Sequence, residues 1–157
     1  GALHYVTIMR PDVSFAVTKV CQFMQSPIEE HWIAVKRILR YLKGTMSMGL
    51  RLRKSQNYQL YAFTDSDWAG CPDERKSTHG YCIFLGSNLI SWSTKKQTTT
   101  ARFSTGAEYH AIAYATAKVC WFKSLLKELF VPFPMPPVLW CDNIGATYLT
   151  INPVYHA

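Results

Sequence analysis

The stretch "FTDSDWAGCPDERKSTHGY", residues 63–81, decides how this chain is read. An apolar run ends in Asp65 and Asp67, carboxylates on alternate residues and therefore on one face of an extended strand. Upstream, "YQLYAFTD" (58–65) has the alternation of that strand, and "GLRLRK" (49–54) reads as an earlier one, joined to it near residues 55–57. Downstream, "YCIFLGSNLISWSTKK" (81–96) reads as a hairpin turning at Gly86, Ser87 and Asn88. These make four strands in succession. A long helix is expected over residues 104–130, with Ala107, Ala111, Tyr114, Ala115, Phe122, Leu125, Leu126 and Leu129 as its apolar positions. The Pro-rich "VPFPMPP" ends it, "VLWCD" reads as a buried strand, and "NIGATYLTIN" starts a short helix that stops before Pro153.

The N-terminal third is helical in pattern. In "SPIEEHWIAVKRILRYLKGT" Ser26 stands as N-cap, Pro27 at the first helical position, Glu29 as the partner of a capping box and Gly44 as the stop. Trp32, Val35, Ile38, Leu39 and Leu42 fall on one face, and Lys36, Arg37, Arg40 and Lys43 largely on the other. An earlier helix is expected over about 12–24, entered after Pro11 and packed through Phe15, Val20, Phe23 and Met24.

Composition bounds the function classes. The 157 residues are 48% hydrophobic and 17% charged, enough to bury one core and unlike a disordered chain. No apolar run reaches a membrane span and no signal-peptide pattern opens the chain, so a soluble, intracellular protein is expected. Five cysteines, Cys21, Cys71, Cys82, Cys120 and Cys141, are an odd number scattered through helical and extended segments, which points to free thiols in a reducing compartment. The chain begins with Gly and ends on Ala in mid-phrase, as a piece of something longer would. The net charge of +7 is concentrated. Residues 1–54 carry nine Lys or Arg against three acids, whereas residues 55–157 carry eight against seven. Such an N-terminal excess fits phosphate-backbone binding and equally a solvated face.

Against that basic background the acids are placed, not scattered. Asp65 ends one strand, Asp142 ends another, and Glu108 lies in the first turn of the long helix, so all three belong to one rim of an α/β sheet. Converging carboxylates repel and call for a cation, and hard oxygen ligands suit Mg²⁺ or Mn²⁺. Each also has a structural reading. Thr105 to Glu108 has capping-box spacing, Asp142 with Asn143 reads as a helix cap, and Asp67 fits a supporting or turn role beside Trp68. Asp65 has no evident cap duty. Cys71, His79 and Cys82 lack the paired spacing of a zinc site and read as core residues, and His110 and His156 read as solvent-facing.

Three stretches, "FTDSDWAGCPDERKSTHGYCIFLGSNLISWSTKKQ", "STGAEYHAIAYATAKVCW" and "CDNIGATYLTINPVYH", in this order resemble the ribonuclease H region of copia-type retrotransposon polyproteins. The N-terminal stretch from "GALHYVTIMRPDVSF" to "YLKGT" resembles the end of the preceding reverse transcriptase with its connection. The resemblance implies a helical connection segment over 1–45 and, over 46–157, an α/β domain with a ribonuclease H-like mixed sheet and flanking helices. It implies that Asp65, Glu108 and Asp142 are metal ligands and catalytic residues, that two Mg²⁺ or Mn²⁺ ions are used, and that the RNA strand of an RNA–DNA hybrid is hydrolysed. The expected partners are that hybrid, gripped through Lys36, Arg37, Arg40 and Lys43, and the upstream reverse transcriptase; the expected place is the element's cytoplasmic virus-like particles. The order Asp, Glu, Asp differs from the Asp, Asp, Glu of integrases on a similar sheet. Two departures stand out. Gly106 replaces a second Glu usual in the family, and the stop at Ala157 precedes the family's fourth acid and closing strand and helix, which implies that this chain alone cleaves poorly or not at all. A non-catalytic nucleic-acid-binding or connecting piece of a decayed element is the rival expectation.

Overall fold

The computed structural model describes residues 1–55, 57–71, 73–132 and 135–152. The chain divides into two compact units, Gly1–Arg51 and Leu52–Ala157.

The first unit is helical: α1 (Ala2–Val6), a 3₁₀ turn (Pro11–Val13), α2 (Ser14–Cys21) and α3 (Glu29–Gly44). Val13, Val17 and Ile38 form its core, flanked by Leu3, Val6, Val20 and Leu42. The helix expected over 12–24 is therefore shorter and rotated from the expected face. Val17 is buried, Phe15 and Met24 are 49% and 69% exposed, and Phe23 stacks on His31 with ring centroids 3.9 Å apart. Residues 15 and 17 lie on opposite sides of a helix, so burying one exposes the other. The start of α3 also differs from the expected Ser26 cap. Ile28 holds the extended N-cap backbone, and its N–H donates to His31 Nδ1 at 3.2 Å. The imidazole does what Glu29 was expected to do, two residues further along. Gly44 does close the helix.

The second unit contains β1 (Leu60–Asp67), β2 (Thr78–Leu85), β3 (Asn88–Lys96), α4 (Ser104–Glu128), β4 (Val138–Trp140) and α5 (Ile144–Ile151). The sheet order is β3-β2-β1-β4, with β1 antiparallel to β2 and parallel to β4, so the unit is α/β with a mixed sheet and flanking helices. The β2–β3 turn uses Gly86 at φ +57°, where a side chain would run into Asn57 and Ser55, while the Gly86 N–H donates to Gln59 O at 2.9 Å. One side of the sheet meets α4. Ala107, Ala111 and Ala115 recur every four residues and are at most 1% exposed, which brings that helix close to β1. Leu60, Ala62, Tyr81, Ile83, Val119 and Leu126 complete this core. Tyr114 and Leu129, expected among the packing residues, are 48% and 60% exposed.

"GLRLRK" is not a strand. Leu50 and Leu52 are exposed, and the backbone of Arg53 is engaged by a side chain: its N–H donates to Asn88 Oδ1 and its carbonyl accepts from Asn88 Nδ2, both at 2.7 Å. A carboxamide there takes the hydrogen bonds a neighbouring strand would take. The fourth strand is β4 instead, brought back beside β1 by the α4 crossover.

Candidate active site

Pairing in the sheet brings the acids together. In the parallel β1–β4 ladder Phe63 lies opposite Trp140, so Asp65 and Asp142, each two residues further on, leave the same end. Glu108 enters from the second turn of α4 and is only 6% exposed. Its Oε1 accepts the Ser66 N–H at 3.0 Å, and the same N–H lies 2.7 Å from Asp65 Oδ1, so one peptide group bridges two carboxylates. On the other side Cys141 Sγ sits 3.8 Å from Glu108 Oε2, and ligand atoms of Glu108, Cys141 and Asp142 all lie within 4.8 Å of one another.

The structural readings of these acids are not what the fold uses. α4 begins at Ser104 with Phe103 as N-cap, and the Glu108 oxygens meet Ser66 and Cys141 instead of closing a capping box. Asn143 caps α5, its Oδ1 accepting the Ala146 N–H at 2.9 Å, which relieves Asp142 of that duty. Asp67, the last residue of β1, does serve the turn, since its carboxylate fills the space where a side chain on Gly70 would go.

Electrostatically the cluster is unfavourable to itself. Burial pushes the Glu108 carboxyl up to about 7, the Ser66 N–H opposes this, and the negative charges of Asp65 and Asp142 add to the rise. Burial likewise raises the Cys141 thiol, with Glu108 and Asp142 contributing. At neutral pH the Glu108 carboxyl therefore holds a proton part of the time, and a cation bound there would displace it.

Residues that the sequence did not flag hold this geometry. Gln97, 5% exposed, donates through Nε2 to Ala107 O at 2.9 Å and to Ser66 Oγ at 3.4 Å, tying the start of α4 to the end of β1 on both sides of Glu108. Trp68 Nε1 donates to Ala101 O at 3.1 Å and pins the approach to α4. An uncharged polar residue directly after the basic end of β3 was the available sign for Gln97. Cys141, expected only as one of five free thiols, has its sulfur 3.8 Å from Glu108 Oε2.

Other sequence candidates stay apart. Among the described residues Cys71, His79 and Cys82 do not assemble into a metal-binding group. Cys71 is buried with its thiol lowered by the Glu74 backbone and Lys96, and His79 is buried against Tyr114 with ring centroids 4.6 Å apart. His110 is exposed, and His156 lies outside the described residues. In the first unit Arg37, Arg40 and Lys43 are exposed on α3, and Lys36 is half-buried, 3.6 Å from Glu29 and 5.8 Å from the Trp32 ring centroid. Trp32 and Leu39, expected in the packing stripe, are 52% and 46% exposed. Ile38 and Leu42 of that stripe do pack, Val35 is half-buried, and Trp32 lies beside Lys36 instead. No described helix is long and apolar enough to cross a membrane.

The fold and site define an α/β unit with a convergent carboxylate cluster where its two parallel strands end. Comparison with known proteins places the chain more narrowly. It is 48% identical over 157 residues to the retrovirus-related Pol polyprotein from transposon RE2 of Arabidopsis thaliana and 50% identical over 157 residues to that from transposon RE1 of the same plant. It is 40% identical over 158 aligned residues to the corresponding polyprotein from transposon TNT 1-94 of Nicotiana tabacum. All three matches cover 100% of the chain and only 11% or 12% of the relative. The chain belongs to the family of retrovirus-related Pol polyproteins of copia-type transposons. No protein-family model and no solved structure matches it.

Proposed function

We propose that the second unit is a ribonuclease H-like domain that hydrolyses the RNA strand of RNA–DNA hybrids made during reverse transcription, and that the first unit is the connection to the reverse transcriptase before it. The observation that carries this reading is a buried Glu108 on α4, raised to about 7, with Asp65 of β1 joined to it through the shared Ser66 N–H and a ligand atom of Asp142 at the β4–α5 junction within 4.8 Å of its own. Three carboxylates in a rim of exposed and buried oxygens fit Mg²⁺ or Mn²⁺, whose charge offsets the repulsion that burial otherwise imposes. When bound, such cations supply activation of water and neutralisation of charge on the leaving 3′ oxygen. The chain's own residues orient and hold. Ser66 N–H fixes Asp65 and Glu108 relative to each other, Gln97 keeps Ser66 and Ala107 in register, and Asn143 caps α5 so that Asp142 remains available.

Lys36, Arg37, Arg40 and Lys43 supply phosphate contacts from α3 in this reading, and the particle in which the element reverse-transcribes is the place of action. The test is cleavage of an end-labelled RNA–DNA hybrid by the full chain with Mg²⁺, beside the Asp65→Asn variant. Whatever cleavage of the RNA strand occurs, however weak, is expected to depend on Mg²⁺ and Asp65. Tight hybrid binding without such cleavage would assign the chain a nucleic-acid-binding role alone.

A further inference from the structure

Cys141 stands among the carboxylates that the preceding reading makes cation ligands, and it is the one donor there that a hard cation does not need. Its sulfur is positioned. The Asn143 N–H donates to Cys141 Sγ at 3.4 Å, and Asn143 itself is locked by its cap bond to the Ala146 N–H at 2.9 Å. The thiol also lies 3.8 Å from Glu108 Oε2 and 4.0 Å from Asn143 O. Sulfur and two carboxylates thus present ligand atoms within 4.8 Å of one another, one of them on a buried side chain, and no other such group of His, Cys, Asp or Glu forms among the described residues.

We propose that Cys141 makes this pocket a trap for thiophilic divalent cations, with Glu108, Cys141 and Asp142 taking Zn²⁺, Co²⁺ or Cd²⁺ through one sulfur and two oxygens. This rests on the preceding reading for the presence of cations in the pocket, but ligation by sulfur is a separate claim. Binding breaks the S–H bond and forms a sulfur–metal bond; the proton leaves to the buffer and no electron is transferred. Mg²⁺ demands oxygen ligands in an octahedron and gains nothing from the thiol, whereas Zn²⁺ and Co²⁺ accept mixed sulfur and oxygen sets with a fourth place for water. A thiophilic ion held this way displaces the hard one, so Zn²⁺ is expected to oppose Mg²⁺ at the same carboxylates.

The test titrates the full chain with Co²⁺ and follows the near-ultraviolet sulfur-to-cobalt absorption. The band is expected in the unaltered chain and absent in Cys141→Ser, which keeps Cys21, Cys71, Cys82 and Cys120 as an internal control. Competition against a zinc-sensitive dye is expected to show the preference for Zn²⁺ over Mg²⁺ falling about tenfold in that variant. An unaltered chain without the band, or a band that persists in Cys141→Ser, overturns the proposal. Glu108→Gln retains every thiol and covers the case in which the serine variant does not fold: the band should weaken in it, and an unchanged band again overturns sulfur ligation at this pocket. Mg²⁺-dependent hybrid cleavage is scored separately. Its failure with the cobalt band present removes the nuclease reading alone, and its success without the band removes the sulfur site alone.

Discussion

Asp12 in the first unit and Glu108 in the second are carboxylates in opposite electrical settings. Asp12 sits in the fork of Arg10, whose Nε and Nη2 donate to it at 3.0 Å and 2.7 Å, and the Tyr41 hydroxyl donates to it at 2.8 Å. The Arg10 guanidinium holds the Asp12 carboxyl below its usual range. The same guanidinium donates through Nη1 to Thr45 O at 3.1 Å, so the charged pair ties the 3₁₀ turn to the end of α3. Among the described residues no cationic side chain acts on Glu108, which is 6% exposed and pushed up to about 7. Where opposite charges meet, ionisation supports folding; where like charges are buried together, ionisation opposes it, and only the surrounding structure keeps the group there. A local cost of that kind marks the place where a cation has most to contribute.

The sharpest way to break this contrast is Glu108→Gln. The variant should lose hybrid cleavage by at least about 100-fold, as expected when a metal ligand is removed, yet gain on the order of 1–3 kcal/mol of stability at pH 8 because no buried charge remains. Urea unfolding beside the cleavage assay measures both, and a variant that is less stable at pH 8 would show that the carboxylate is already compensated.

Next in size is the pH dependence. The folded carboxyl of Glu108 titrates near 7 against an ordinary 4.5, so the folded state keeps a proton that the unfolded state has released. Its contribution to stability is whole below 4.5 and is lost as pH rises through about 7. The slope is at most about 1.4 kcal/mol per pH unit, flattened in Glu108→Gln. Mg²⁺ should restore part of the loss at pH 8, and EDTA should remove that gain, both read from urea midpoints. A midpoint indifferent to Mg²⁺ at pH 8 would count against cation binding at the cluster.

The opposite sign is expected at Asp12. Asp12→Asn should cost the first unit about 1 kcal/mol near pH 7, reduced from a buried pair's value because the side chain is partly exposed. Since the folded pKa lies below 3.8, this stabilisation is present above that value and fades as pH falls through the lowered one. A deficit that persists undiminished in acid would mean that packing, not charge, is responsible. The smallest effect on folding is expected for Lys36, Arg37, Arg40 and Lys43 replaced by Gln. Stability should barely move, while the salt slope of hybrid binding should flatten by about 1 for each cation that contacts phosphate. An unchanged slope assigns this face to solubility.

Much of the fold was readable locally. The alternation on either side of Gly86 marked the hairpin of β2 and β3, and the turn residue that needed positive φ was a glycine. The Ala-rich face of α4 was visible at helical spacing. The failures share a cause. "GLRLRK" has strand periodicity but joins no ladder, the backbone of Arg53 being bonded by the Asn88 side chain and not by a strand backbone. Ser26 had the better capping chemistry, yet His31 drew the helix start to Ile28. Trp32 fitted an apolar stripe by spacing and ended 52% exposed beside Lys36. In each case a tertiary or neighbouring partner outweighed a small local preference.

By itself the sequence determined the identities of the three acids, their order along the chain and the elements that carry them, because strand and helix periods are properties of neighbouring residues. The tertiary structure alone decided what those acids meet. The pairing of Phe63 with Trp140 across the α4 crossover aligned Asp65 with Asp142, Asn143 took the capping role that Asp142 also suited, and Gln97 and Ser66 fixed Glu108 in a dry position. It also turned Cys141 toward Glu108. Such relations depend on contacts between residues far apart in the chain, and burial, which sets the charge state of Glu108, exists only once those contacts have closed.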